Sequence, residues 1–298
     1  MTIDADGLRR RAQVLAALRA WFASHSYLEV PTPARVPSPA MEEHLFAVAA
    51  SGQWLRTSPE FALKRVLAAG LDRIYEIGPC WRERERGDWH GCEFTMVEWY
   101  RVGATLPDLM DEVQALVAVA FTAVGGTPPS WQRTTIRALF KRHAGVDPAT
   151  ATIADLSEHD ECWDDAFMRR WVTDVEPRLE GGVFVSDWPA SQAALARVDT
   201  DGEWPIACRF EAFIGGIELA NAFWELTDGA ELRRRFEAAN TARRAMGELP
   251  HPVDEALIRA VDRMAPTSGI ALGLDRLVAA ACGWDGIAPG RVPAAEGA

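Results

Sequence analysis

An α+β domain, an antiparallel sheet with helices packed against it, is the fold class this sequence predicts, on two observations. Strand-like runs arrive in pairs joined by short turns and not as alternating β-α-β units, a pattern that favours antiparallel pairing. With 298 residues, 48% of them hydrophobic, and no repeat or linker-like stretch, the chain is long enough to bury one full core as a single domain over 1–298.

A helix from Gly7 to about His25 is predicted first, because Leu8, Val14, Leu15, Leu18, Trp21 and Phe22 recur at helical spacing. Pro31 and Pro33 force Leu28 to Val36 to be extended. His44 to Ala49 and Gln53 to Thr57 read as a hairpin turning at Ser51-Gly52. Ser58-Pro59-Glu60 starts a second helix, with serine as cap, proline at the first helical position and glutamate in the first turn. Residues 73 to 101 alternate apolar and polar up to Trp81 and again from Phe94, so they read as two strands around a long charged loop. A helix from Leu106 to about Val124 stops at Gly125-Gly126-Thr127-Pro128-Pro129, and residues 130 to 180 read as a helical, Trp-rich insertion covering one edge. Val183 to Ser186 is a short strand, and Trp204 to Phe213 and Gly216 to Trp224 are two long ones joined at Ile214-Gly215. Helices are expected from about Gly229 to Met246 and from Val253 to Met264, then a strand from Ser268 to Gly273 feeding a helix from Leu274 to about Ala281. The Pro-, Gly- and Ala-rich tail, about 285 to 298, is expected to fray.

The bulk composition narrows the function. A net charge of −12 disfavours a general nucleic-acid grip, and the compact run Arg233 to Arg235 reads as a solvated helix face. Five cysteines, with no Cys-x-x-Cys pair, indicate neither a disulfide framework nor a zinc site, and reduced cytoplasmic thiols are the plain expectation. Neither a signal peptide nor a membrane span is predicted.

Three charged islands ask for a reason. The loop between the two long strands carries Arg82, Glu83, Arg84, Glu85, Arg86, Asp88 and His90. Glu211, Glu218 and Glu225 sit on adjacent strands among Ile, Leu, Phe and Trp, where a charge is costly unless something positive meets it. Arginine would serve, and so would a divalent cation; hard oxygen ligands without His or Cys suit magnesium, which usually comes with phosphates. The turn Ala-Leu-Gly-Leu-Asp-Arg at 271 to 276 is the third island. Singly, each is more often an ordinary surface feature. Together, arginines at 82 and 276, acidic strand residues and an aromatic at 94 suggest an ATP site facing an acyl group.

Four ordered motifs then carry a resemblance: Thr-Ser-Pro-Glu-Phe-Ala-Leu-Lys-Arg at 57 to 65, Glu-Phe-Thr-Met-Val-Glu-Trp-Tyr-Arg at 93 to 101, Gly-Ile-Glu-Leu-Ala-Asn-Ala-Phe-Trp-Glu-Leu-Thr-Asp at 216 to 228, and Ser-Gly-Ile-Ala-Leu-Gly-Leu-Asp-Arg-Leu at 268 to 277. The chain resembles the catalytic domain of class II lysyl-tRNA synthetases, and more closely the elongation factor P lysine ligase family, along nearly its whole length. The resemblance implies a nucleotide site of Arg82, Glu83, Arg84, His90, Gly91, Phe94, Glu218, Leu219, Gly273 and Arg276, with Arg82 on the α-phosphate and Phe94 stacked on adenine. It implies Glu211 and Glu218 as magnesium carboxylates, and Ser58, Pro59, Glu60, Tyr100, Asn221, Glu225 and Ala271 as the amino-acid pocket. Pro33 matches a proline near a dimer interface, so a homodimer is expected.

The family's lysyl-tRNA synthetases carry an N-terminal anticodon-binding domain, whereas this chain begins at the first helix of the catalytic domain. Together with the acidic charge, that leads us to expect no tRNA partner but a protein acceptor, elongation factor P, with lysine or (R)-β-lysine as donor. Some positions depart from the pattern: Arg84 stands where the family has glutamate, with Glu85 following as the nearest acceptor for adenine, Gly91 and Cys92 replace Asn-Pro, and Ala222 replaces glycine. Two other readings stay open, a silent regulatory paralogue and a synthetase fragment that charges another acceptor.

Overall fold

Two-residue alternation along the strands decides which side chain faces which layer. The computed structural model describes residues 3–42 and 45–292. The strands are β1 (Leu28–Glu29), β2 (Arg35–Val36), β3 (Ala49–Ala50), β4 (Gln53–Leu55), β5 (Arg73–Trp81), β6 (Glu93–Val102), β7 (Trp131–Thr135), β8 (Gly182–Pro189), β9 (Val198–Asp199), β10 (Ile206–Ile214), β11 (Ile217–Trp224) and β12 (Thr267–Gly273). The helices are α1 (Ala5–Ser24), α2 (Glu60–Ala68), α3 (Leu106–Ala123), α4 (Ile136–Leu139), α5 (Ile153–Leu156), α6 (Trp163–Arg170), α7 (Gly229–Ala245), α8 (Glu255–Val261) and α9 (Leu274–Cys282). A nine-stranded sheet runs in the order β1-β5-β6-β12-β11-β10-β8-β7, with β9 beside β10, and β2-β4-β3 forms a small second sheet. The central pairs are antiparallel, while β1 joins β5 and β7 joins β8 in parallel at the two edges.

One face of the sheet is apolar. Val97 and Trp99 of β6 and Ile270 and Leu272 of β12 pack with Val14, Leu18 and Phe22 of α1, Val113 and Val117 of α3 and Leu277 of α9. Each such side chain contributes roughly 1.5–3 kcal/mol by leaving water, so this layer is the main source of stability. The opposite face carries a cleft at its centre. On one flank Phe61 and Leu67 of α2 meet Phe236 of α7 and Leu257 of α8. On the other, residues 136 to 179 fold around their own cluster, in which the rings of Phe140 and Phe167 stack at 4.5 Å.

The structure corrects two expectations. The insertion is not wholly helical, because Trp131–Thr135 forms the edge strand β7, a run too short and polar to show alternation by itself and held by pairing with β8. The tail does not fray at residue 285: Ile287 and Gly290 are buried, and the Ile287 N–H donates to the Asp88 carbonyl at 2.9 Å. Residues 293–298 of that tail, and His44 of the predicted hairpin, lie outside the described residues. Pro33 is exposed between β1 and β2. Among the described residues no helix is long and apolar enough to cross a membrane.

A buried ion pair ties the residue after β4 to β5. Arg56 meets Glu76 at 2.7 Å with both side chains under a tenth exposed, and its guanidinium also donates to the Thr32 hydroxyl and the Pro79 carbonyl. Removing one partner strands a buried charge, so Arg56→Met is expected to lower unfolding free energy by about 3–5 kcal/mol. The double variant Arg56→Met/Glu76→Leu should recover much of that loss in urea denaturation. Equal losses in the two proteins would disprove a charge origin.

Candidate active site

Strand register places the polar residues of the cleft in rows. Glu76, Glu98, Ala271, Asn221 and Glu211 lie abreast on β5, β6, β12, β11 and β10. The next cleft-facing row holds Tyr100, Gly269, Phe223 and Arg209. Adjacent strands are roughly 4.8 Å apart, so Ala271 is flanked on one side by an acid and on the other by an amide. Gly269 has no alternative in its row. A Cβ there would stand 2.2 Å from the Tyr100 ring and 2.5 Å from Glu225 Oε1.

One end of the cleft, about 320 Å3 in volume, is a cluster of buried acids. Both Glu98 oxygens accept hydrogen bonds, from the Ser58 hydroxyl at 2.7 Å and the Tyr100 hydroxyl at 2.8 Å. Lys64 reaches Glu60 and Glu225 at 2.6 Å each. Burial disfavours the Lys64 charge, but Glu225 and Glu60 outweigh it and hold the amine protonated. Three carboxylates therefore surround one ammonium. Burial, reinforced by Glu60, pushes Glu98 up to about 8, and burial, opposed by Lys64 and aided by Glu60, pushes Glu225 up to about 7. The cluster holds protons that a bound cation would displace.

The other end sets Arg82 and Arg276 among the carboxylates of Glu85, Glu218 and Asp275. Arg82 donates to Glu85 at 3.0 Å, and its guanidinium lies 5.1 Å from the centre of the Phe94 ring. Arg276 donates to the Glu218 carbonyl at 2.7 Å, to the Trp89 carbonyl at 3.2 Å and to His90 Nε2 at 2.6 Å. Burial and then the Arg276 charge lower the His90 pKa, so the neutral ring can accept that bond. Arg82 Nε, Arg209 Nε and Asn221 Oδ1 are buried and have no hydrogen-bond partner. Each is a site for an incoming polar group.

Most residues singled out in the sequence come together here. Ser58, Glu60, Arg82, His90, Gly91 and Phe94 line the cleft from one side, and Tyr100, Glu218, Leu219, Asn221, Glu225, Ala271, Gly273 and Arg276 complete it. Others do not reach it. Pro59 faces a separate small crevice with Pro33 and Arg65. Its N–H-free ring takes the cap position of α2, while the Ser58 oxygen accepts the Glu60 N–H at 2.9 Å. Glu83 is exposed. Arg84 turns outward, pairing with Glu248 at 2.5 Å and lying 3.4 Å over the Phe46 ring, because aromatic face and carboxylate together outbid the cleft. Glu85 lines the cleft in its place. Glu211 stands behind Arg209, to which it is paired. Burial, opposed by Arg209 and aided by Glu218 and Glu176, raises its pKa to about 8. That local surplus of carboxylate suits a hard cation with oxygen ligands, although among the described residues no group of three or more possible ligands converges.

Sequence reading missed Glu98, Lys64 and Arg209. All three fall within the quoted strands and helix, and the signal was a charge at an inward position of an apolar alternation: Lys64 is 2% exposed and Glu98 1%.

A mostly antiparallel sheet with its apolar face under helices, and a cleft with buried acids at one end and arginines at the other, define a class II synthetase catalytic domain. The chain belongs to that family: residues 5–289 match the model of the class II tRNA synthetases for aspartate, lysine and asparagine. Within it, the chain groups with proteins named elongation factor P–(R)-β-lysine ligases and is a ligase. It is 38% identical to the one from Vibrio cholerae, with 96% of this chain and 94% of the relative covered. It is 36% identical to the one from Hamiltonella defensa over 92% and 90%, and 38% identical to the one from Erwinia tasmaniensis over 91% and 89%.

The buried acids make stability depend on pH. A carboxyl whose folded pKa is raised above its unfolded value, near 4.3, supports the fold while protonated, and that support is lost as pH rises through about 7 to 8. The urea midpoint is therefore expected to fall between pH 6 and pH 8.5, and Glu98→Gln should flatten the fall. An identical slope in the variant would remove Glu98 as its cause.

Proposed function

We propose that the chain activates lysine or (R)-β-lysine with ATP as an aminoacyl-adenylate and transfers the aminoacyl group to a lysine side chain of elongation factor P. The observation that carries this reading is the arrangement of charge in the cleft, three carboxylates, two of them buried, around one lysine at one end and two arginines held by exchangeable partners at the other. A donor with two ammonium groups and one carboxylate matches both ends at once. The names of the full-length relatives support the donor and acceptor.

The donor carboxylate is already ionised, so it attacks the α-phosphorus without a general base and pyrophosphate leaves. The protein's task is to align the nucleophile and neutralise developing charge on the phosphoryl oxygens. Arg82 serves at the α-phosphate once it exchanges Glu85 for the phosphate. Arg276 and His90 meet the outer phosphates, and Phe94 stacks on adenine. Glu218, and Glu211 once released from Arg209, are the residues that would hold magnesium, which would offset the phosphate charge. In the second step the acceptor amine attacks the adenylate carbonyl, an amide bond forms and AMP leaves.

The decisive assay is ATP–pyrophosphate exchange without tRNA, against α-lysine and both β-lysine enantiomers, followed by transfer to elongation factor P. No exchange with any diamino acid would refute the reading. Arg82→Ala should cost on the order of 3 kcal/mol or more in the barrier to adenylate formation. Exchange within a few fold of wild type would exclude that role. The Ala271 methyl, between Glu98 and Asn221, is placed to sense where the donor's amine branches. Ala271→Gly is expected to raise kcat/KM for α-lysine relative to (R)-β-lysine by a factor within the range of about 1–3 kcal/mol, and an unchanged ratio would show that this methyl does not set the preference.

A further inference from the structure

The segment after α9 runs along the outside of the loop between β5 and β6, touching the loop's backbone at Asp88 and the first residue of β6 at Glu93. The Ile287 N–H donates to the Asp88 carbonyl at 2.9 Å, and Arg291 Nη2 donates to the Glu93 carbonyl. Between these two points, Arg276 of α9 holds the Trp89 carbonyl. Ile287 is itself buried and forms part of the cleft wall. The segment is backed on its far side by α1, where a Cβ on Gly7 would fall 2.1 Å from the Pro289 carbonyl oxygen.

Gly91 is where this chain departs from the family pattern, and it lies under the Arg291 guanidinium. A Cβ at Gly91 would stand 2.3 Å from Arg291 Nη1 but 3.1 Å from the nearest backbone oxygen. A larger residue would therefore evict the arginine before it distorted the main chain. Much of the loop is solvent-exposed, with Glu83, Arg84, Arg86, Gly87, Asp88 and His90 all open to water. Without outside contacts such a loop samples many conformations, and ordering it would be charged against nucleotide binding.

We infer that Arg291 is a positioning residue for the nucleotide: the C-terminal segment 287–291 clamps the 82–92 loop in its binding conformation, and glycine at 91 makes room for the clamp. This rests on the reading of the cleft as an ATP site. The arginine touches neither the cleft nor any proposed reacting atom. It acts through the Glu93 carbonyl and the packing over Gly91.

Hydrogen–deuterium exchange of the full-length, nucleotide-free protein tests the clamp directly, and pyrophosphate exchange tests its consequence. Arg291→Ala is expected to speed amide exchange within 82–92 and to raise KM for ATP roughly five- to tenfold, the scale of one typical hydrogen bond, with kcat within about twofold of wild type. Arg291→Lys, which keeps a cationic donor, should recover part of both effects. Gly91→Ala should reproduce the Arg291→Ala loss, and the double variant should be no worse than either single one. Additive losses, unchanged loop exchange, or a fall in kcat at constant KM would each overturn the clamp. If the wild-type protein supports no pyrophosphate exchange, the nucleotide reading fails by itself, while loop exchange and the Gly91–Arg291 cycle read by it still decide the clamp.

Discussion

Three carboxylates clustered around one ammonium set the terms for the rest of this structure. Glu98 and Glu225 lie where water cannot solvate them, Glu60 is half-buried beside them, and Lys64 answers only part of their charge. In isolation such a cluster is destabilising. It persists because its neighbours are fixed from several directions: Ser58 and Tyr100 donate to Glu98, and Gly269 leaves space for Tyr100 and Glu225 to approach. In the proposed function, the remaining deficit of positive charge receives the donor's ammonium groups.

The two faces of the sheet divide the work. The face under α1, α3 and α9 is apolar and gains stability from burial, which allows the opposite face to carry groups that lower it. The buried pair Arg56 and Glu76 lies on the cleft side and locks β5 to the residue after β4, so the strand that leads to Arg82 cannot shift without breaking a desolvated ion pair. Rigid support of this kind lets a polar site be held in place before its ligand arrives.

Charge on the loop between β5 and β6 is answered by several partners that are distant in sequence. Arg82 pairs with Glu85 within the loop, Arg84 with Glu248 near the end of α7, His90 with Arg276 of α9, and the backbone with Arg291. The loop is thus a junction where four parts of the chain meet, which gives a physical reason for its mixture of signs. In the proposed function, Arg82 and Arg276 would each exchange a present partner for a phosphate, whereas Arg84, engaged outside, is withdrawn from the cleft.

Much of this was legible in the sequence. Alternation in 93–101 and 216–224 marked the strands and their two faces, helical spacing marked α1 and α3, and the order of four motifs identified the family, because period and order are properties of short covalent stretches. The sequence could not distinguish Arg84 from Glu85 as the residue facing the cleft, since one residue of offset in a loop has no period to fix it; the Phe46 ring and Glu248 decided it. Nor could it find β7, which exists only because β8 lies beside it, or the proximity of Lys64 to Glu225 and of Arg291 to Gly91. The last two contacts join residues more than a hundred positions apart, and only the folded sheet brings them within reach.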